Sequence, residues 1–249
     1  MGCTLEDFCP TVAPPATGAP ILADIRAVAF DLDSTLVDII HIKRRAAEAA
    51  AWALVDAGVD LDPARMAEAI HEVAIDIGID SAEVVEEYLK RQFGAPEPRL
   101  IEVGEHAFEK AEEENVRPYP RVHHTLTELS RRGYTLVLIT DAPRWRAVRR
   151  LQAARLLHFF HRILTIEDTP HGKADGAPYA KAAKLLDLAP EQILMVGDHP
   201  GRDVAMARSA GLRAALAAYG LQPVFAETGG GILADLQLRY PDDLLRSLP

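Results

Sequence analysis

The sequence predicts an α/β protein: a doubly wound, Rossmann-like parallel sheet core with an inserted all-helical cap domain. Three observations carry that prediction. Short apolar runs alternate with helical stretches along most of the chain, the pattern of strands covered by helices on both faces. The three most apolar runs end at Asp31, Thr140 and Asp198, so each has a polar residue at its carboxyl edge. Finally, the first and second runs are separated by a long stretch of purely helical pattern, too long for a connection within a sheet.

Taken in order, Ala27–Phe30 reads as a buried parallel strand, because it is apolar at every position rather than at alternate ones. The insert follows. Its first helix runs from Ile39 to Ala57 and is stopped by Gly58; Asp62-Pro63 has the form of an N-cap followed by proline at the first helical position. Gly78 and Gly94 close the next two helices, Ser81 is placed to cap the third, and Arg99–Asn115 forms a fourth. Hinges fall near Val37-Asp38 and Arg117–Pro120. The expected domains are therefore a core of 21–37 and 118–249 and a helical cap of 38–117.

Beyond the insert, strands are predicted at Tyr134–Ile139, Arg162–Ile166, Ile193–Val196, Leu212–Ala217 and Ala234–Leu238. Helices are predicted between them at Val122–Arg132, Arg144–Leu157, Ala177–Leu186 and Val204–Ala210, with Gly133 and Gly211 as stops. Residues 1–20, rich in Pro, Ala, Gly and Thr, read as a disordered tail with no role in chemistry. They lack the basic start and continuous apolar run of a signal peptide.

Composition narrows the classes of function. With 49% hydrophobic residues the chain has ample material for a packed core, and a formal charge of -10 argues against nucleic-acid partners. No apolar stretch is long enough to span a bilayer. The only cysteines, Cys3 and Cys9, lie in the tail, so no disulfide framework holds the fold, which suits the cytoplasm. The expectation is a cytoplasmic monomer or homodimer, and the negative balance leaves room for a small anionic substrate.

Four constellations carry chemistry. Asp31-Leu32-Asp33-Ser34-Thr35 follows the first strand directly. Two carboxylates at a strand end can divide labour, one attacking and one handling the leaving group's proton; an ordinary Asx turn is the competing explanation. Gly197-Asp198-His199-Pro200-Gly201-Arg202-Asp203 follows another apolar strand, and its acids suit a hard divalent cation. Gly197 reads as a residue for a sharp turn, Asp203 as a helix cap, and His199 as an exposed loop histidine. Lys173 follows the strand predicted at Arg162–Ile166. Thr140-Asp141 ends the second strand, where a hydroxyl can bond a phosphoryl oxygen. In a doubly wound sheet, ligands bind beyond the carboxyl ends of the strands, and Asp31, Thr140 and Asp198 all fall there.

In order and spacing these motifs resemble those of the haloacid dehalogenase superfamily, and the chain is similar to its phosphatase members from about Ile25 to Leu248. The resemblance implies that Asp31 is the nucleophile and carries an aspartyl-phosphate. Asp33 is then the general acid and later the base, Thr140 binds the phosphoryl group, and Lys173 steadies the nucleophile and the transferring charge. It also implies a Mg²⁺ cofactor held by Asp31, the backbone carbonyl of Asp33, and Asp198, with Asp203 supporting from behind. Ser34 stands where many relatives have glycine. Lys173 is followed by Ala174-Asp175-Gly176 where relatives often have Pro-x-Pro, although Tyr179 keeps the usual aromatic.

The implied activity is Mg-dependent hydrolysis of a small phosphate monoester. A phosphomutase would keep the same acid pair, but Thr35 matches the hydrolase form. A phosphonate hydrolase would need a Schiff-base lysine from the cap, for which Lys43 is the candidate. Dehalogenase relatives lack an acid at the position of Asp33, and a scaffold would need neither aspartate. A nicotinamide enzyme would show Gly-x-Gly-x-x-Gly after the first strand, and none is there. In the insert, the charged residues Lys43, Arg44, Arg45, Lys90 and Arg91 read as solvated helix faces, Trp52 and Tyr88 as apolar core. His123-His124 is assigned no function.

Overall fold

The computed structural model describes residues 22–221 and 234–249; the expected N-terminal tail lies outside them. Six parallel strands form one sheet: β1 (Ala27–Phe30), β2 (Thr135–Ile139), β3 (Arg162–Leu164), β4 (Ile193–Gly197), β5 (Arg213–Ala217) and β6 (Leu236–Leu238). Their order is β3-β2-β1-β4-β5-β6. The chain thus moves outward from β1 to β3, then crosses back to lay β4 on the other side of β1. Phe30 stands level with Leu138 on β2 and with Val196 on β4.

Because strand side chains alternate between faces, each strand feeds two cores. Val28, Phe30, Leu136, Leu138, Leu194 and Val196 pack on one face, with α5 (Val122–Arg131) and α6 (Arg144–Ala153). Ala27, Ala29, Val137, Ile139, Ile193 and Met195 pack on the other, where α7 (Ala177–Leu186) and α8 (Met206–Ser209) cover them. Burial on both faces is why these strands read as continuous apolar runs. A last helix, α9 (Leu244–Ser247), returns to the first core through Leu244.

Several predicted elements are shorter than their apolar patterns. The third strand stops at Leu164 because Thr165 opens a tight turn: the Asp168 carboxylate accepts from the Thr165 backbone N–H and hydroxyl at 2.9 and 3.0 Å. The helix from Arg144 ends at Ala153, and Arg155 then turns in the left-handed region at φ 57°. The helix expected at Val204–Ala210 starts with a wide π-type turn over Pro200–Ala205 before α8.

The insert comprises α1 (Ile39–Asp56), α2 (Pro63–Asp76), α3 (Val84–Phe93) and α4 (Pro98–Glu114), and it has an apolar core of its own. Asp62 caps α2 as expected, accepting from the Arg65 N–H at 2.9 Å. Ser81 does not cap α3, which starts three residues later. Glu105 of α4 does that work, accepting from the N–H groups of Val85 and Glu86 at 2.8 and 3.0 Å. Tyr88 is buried in this core, but Trp52 is 60% exposed. The buried stripe of α1 is Ala46, Ala47, Ala50, Ala51 and Leu54, and position 52 falls on its opposite side. Among the described residues no helix is long and apolar enough to cross a membrane.

The two connections to the insert run side by side. Val37 bridges Pro118, and the Asp38 N–H donates to the Arg117 carbonyl at 3.1 Å. Within the insert, Gly104 lets α4 lie close to its neighbours, since a Cβ there would come within 2.5 Å of a Val85 methyl and 3.3 Å of Leu54. Gly104→Val is therefore expected to destabilise the protein by about 1–3 kcal/mol through overpacking. Urea unfolding checks this, and an unchanged midpoint would contradict the packing.

Candidate active site

The order in which strands are added to the sheet reverses between β1 and β4, and the crevice at their carboxyl ends is where such sheets hold ligands. Asp31 leaves β1 there, its N–H donating to the Val196 carbonyl at 2.9 Å. Asp198 leaves β4 immediately after Gly197. Carboxylate oxygens of Asp31, Asp198 and Asp203 lie within 4.8 Å of one another, and all three residues are buried. Lys173 joins them through Nζ, 2.5 Å from Asp31 Oδ1 and 2.7 Å from Asp203 Oδ1. Thr140 sits at the end of β2, one strand over, its hydroxyl accepting from the Ala142 N–H. Residues far apart in the chain thus converge as the motifs suggested.

Gly197 has a different reason from a sharp turn. It belongs to β4, and a Cβ there would fall 2.4 Å from the Asp203 carboxyl group. The glycine makes room for that side chain. Asp203 does not cap the helix ahead of it either: its carboxylate points back and accepts from the His199 N–H at 3.0 Å. His199 is half-buried rather than exposed, and its Nδ1 accepts from the N–H groups of Gly201 and Arg202, capping the turn. Tyr179 is buried beside the lysine loop, its hydroxyl donating to the Arg202 carbonyl at 2.6 Å.

Electrostatics follow from burying like charges together. Burial, with help from Asp203 and Asp33 against the pull of Lys173, pushes Asp31 up to about 7. Burial and the charges of Asp31 and Asp203 push Asp198 up to about 9. For Lys173, burial works the other way but is outweighed by Asp203 and Asp31, which hold it well above the ordinary lysine range. One lysine among three carboxylates leaves a deficit of positive charge. The donor set is entirely oxygen and hard, so a divalent cation of the Mg²⁺ type fits it.

Asp33 is buried too, and burial raises its pKa despite the opposing charge of Arg150. Arg150 was not singled out in the sequence, yet its Nη1 lies 2.6 Å from Asp33 Oδ2 and its Nη2 lies 3.1 Å from Asp80 Oδ1 of the insert. Only its place one turn after Arg146, on the helix following Thr140, hinted at a shared face. Lys43 is likewise not on a solvated face. It is fully buried, ion-paired with Glu112 and 5.1 Å from the Phe108 ring centre, and burial lowers its pKa. Arg44, Arg45, Lys90 and Arg91 are exposed as expected. Two tyrosines also escaped notice: Tyr219 donates to the Thr35 carbonyl at 2.9 Å and meets Tyr119 edge-on at 5.2 Å.

Sequence and fold comparisons agree with this geometry. The family model of the haloacid dehalogenase-like hydrolases matches residues 25–211. The chain is 28% identical to the glyceraldehyde 3-phosphate phosphatase of Methanopyrus kandleri over 76% of its own length and 82% of that protein's. It is 36% identical to the pyrophosphatase PpaX of Bacillus cereus over 44% of its own length and half of that protein. A haloacid dehalogenase family hydrolase from Deinococcus radiodurans, solved with bound phosphate and sodium, shares the fold. Its TM-score is 0.65 at 24% identity, with 89% of this chain and 94% of that one covered. The chain belongs to the haloacid dehalogenase-like hydrolases. Within that family it is a phosphatase.

Two measurements test the site. Ser34 adopts φ 58°, the left-handed region where a side chain costs roughly 1–2 kcal/mol. Ser34→Gly should therefore stabilise the fold by up to about 1 kcal/mol after glycine's own entropic cost, visible in urea unfolding; a loss of stability would refute the strain. Second, Asp31 and Asp198 keep protons that an unfolded chain sheds near pH 4. The folded, metal-free protein then binds more protons than the unfolded one, so its stability falls as pH rises through about 7 and about 9. Mg²⁺ competes with those protons and should raise the melting temperature more at about pH 9 than at about pH 6. Melts with Mg²⁺ and with a chelator check this, and equal shifts at both pH values would contradict it.

Proposed function

We propose that this phosphatase hydrolyses a small phosphate monoester, with Mg²⁺ as cofactor, by passing the phosphoryl group through Asp31. The observation that carries the reading is the contact of Asp31 with Lys173 at 2.5 Å inside a cluster of buried carboxylates. That arrangement holds a nucleophile beside a fixed cation at the mouth of the sheet, which is what attack on an anionic phosphate requires.

The steps follow from the residues present. An Asp31 carboxylate oxygen attacks phosphorus while the bond to the ester oxygen breaks. Asp33, whose pKa burial raises against the opposing charge of Arg150, gives its proton to that oxygen and the alcohol leaves. Asp33, now a carboxylate, takes a proton from water as the water oxygen attacks the phosphorus of the aspartyl-phosphate. Inorganic phosphate departs and Asp31 is regenerated. Lys173 offsets charge on Asp31 and on the phosphoryl oxygens throughout, and Thr140 bonds one of those oxygens. Asp31, Asp198 and the Asp33 carbonyl would hold the metal, with Asp203 supporting through Lys173 and the 199–203 turn; bound there, it neutralises phosphoryl charge.

The insert, 38–117, acts as the cap over this site, and closure keeps bulk water from the acyl phosphate. The setting is cytoplasmic and the molecule a monomer or homodimer. Of the other readings, phosphonate hydrolysis loses ground because Lys43 is held by Glu112 rather than free to attack a carbonyl.

A panel of phosphate monoesters assayed with Mg²⁺ and with a chelator tests the reading. Asp31→Asn should abolish phosphate release, and Asp33→Asn should lower kcat by roughly 10²- to 10⁴-fold. Release that persists in Asp31→Asn, or interconversion of sugar phosphates with no net release, would overturn it.

A further inference from the structure

We propose that Arg146 and Arg150 form a receptor for a second anionic group on the substrate, so that this enzyme prefers phosphate esters whose leaving group bears a carboxylate or another phosphate. The inference deepens the phosphatase reading and rests on it for the position of the ester.

Arg146 and Arg150 stand one turn apart on α6, so their side chains share a face, and both are buried to more than nine-tenths. A guanidinium taken out of water needs acceptors for its N–H groups, and leaving them unmet is costly. Arg150 has acceptors in Asp33 and Asp80. Arg146 does not have the same provision: its Nη1 lies 3.6 Å from the Asp80 oxygen that Arg150 already uses, and it is buried with no hydrogen-bond partner. The ring of Trp145, 4.9 Å away, supplies a cation–π contact but no acceptor.

Of the other charges facing this place, Glu112, Glu113 and Arg149 are already engaged. Glu112 pairs with Lys43 and Glu113 with Arg149, while Glu109 is exposed at the rim. Arg146 and Arg150 line a cavity of about 340 Å³ between α4 and α6, walled also by Ile42, Val116 and Trp145. That is room for a small ligand. Planar guanidinium groups one turn apart match the oxygens of a carboxylate or phosphate better than those of a neutral hydroxyl.

Arg150 also fixes where this anion must lie. It touches Asp33, the residue that meets the leaving oxygen, at 2.6 Å. The second anionic group therefore sits only a short linker from the ester oxygen, with Arg150 nearer the reacting bond.

The test compares kcat/KM for phosphoglycolate, which carries a carboxylate, ethylene glycol bisphosphate, which carries a second phosphate, and glycerol phosphate, which carries neither. Wild-type enzyme should favour one or both charged substrates by roughly 10- to 100-fold, and whichever is favoured identifies the group received. Arg146→Gln should shrink that ratio by tenfold or more, chiefly through KM, and Arg146→Lys should restore part of it. A wild-type ratio near one, or a ratio that survives in Arg146→Gln, overturns the receptor while the hydrolase reading stands. Calorimetry with phosphonoacetate against methylphosphonate reads the receptor without turnover. Arg146-dependent preference for phosphonoacetate in a protein that hydrolyses no ester would uphold the receptor and overturn the hydrolase reading instead. No preference in either measurement overturns the receptor.

Discussion

Everything at this site depends on keeping buried carboxylates together without letting their repulsion expel them. Asp31, Asp198 and Asp203 have oxygens within 4.8 Å of one another in a place largely shut off from water. Lys173 is the fixed counter-charge, touching two of the three. The lysine is in turn fixed by its backbone, since its N–H donates to Asp141 Oδ1 at 2.9 Å. Asp141 sits next to Thr140, so the end of β2 sets both the Thr140 hydroxyl and the height of the lysine loop.

The sheet makes this possible at modest cost. Parallel strands in register put their carboxyl ends in one row, so residues following Phe30, Ile139 and Val196 arrive together however far apart they lie in the chain. The helices that cover the two faces bury the strands and leave that row facing outward. The local price appears as strain at Ser34 and as the bare backbone of Gly197, the latter required by the closeness of the Asp203 carboxyl group.

Much of this was legible from the residues, because strand-end acids and continuous apolar runs are local signals. Asp31, Asp33, Thr140, Lys173 and Asp198 each follow or end a recognisable strand. Trp52 was misjudged because hydrophobicity alone does not say which side of a helix faces the core. Lys43, Arg146 and Arg150 were invisible or misjudged for the opposite reason: a buried cation looks like a surface one until its partner is known, and their partners Glu112, Asp80 and Asp33 lie on other elements. The turn read at Gly197 and the helix cap read at Asp203 were misjudged for the same reason, since what fills a gap is set by the side chain across from it.

Val37 has a consequence of its own. Its carbonyl accepts from the Ser34 N–H at 2.8 Å, it bridges Asp33, and it also bridges Pro118 where the chain comes back from the four helices. The outgoing and returning tethers and the Asp33 loop therefore meet at Val37, with the Asp38–Arg117 bond beside it. A movement of the helical lobe is thus felt by the Asp33 loop through these backbone joints, which gears the inserted helices to the end of the first strand.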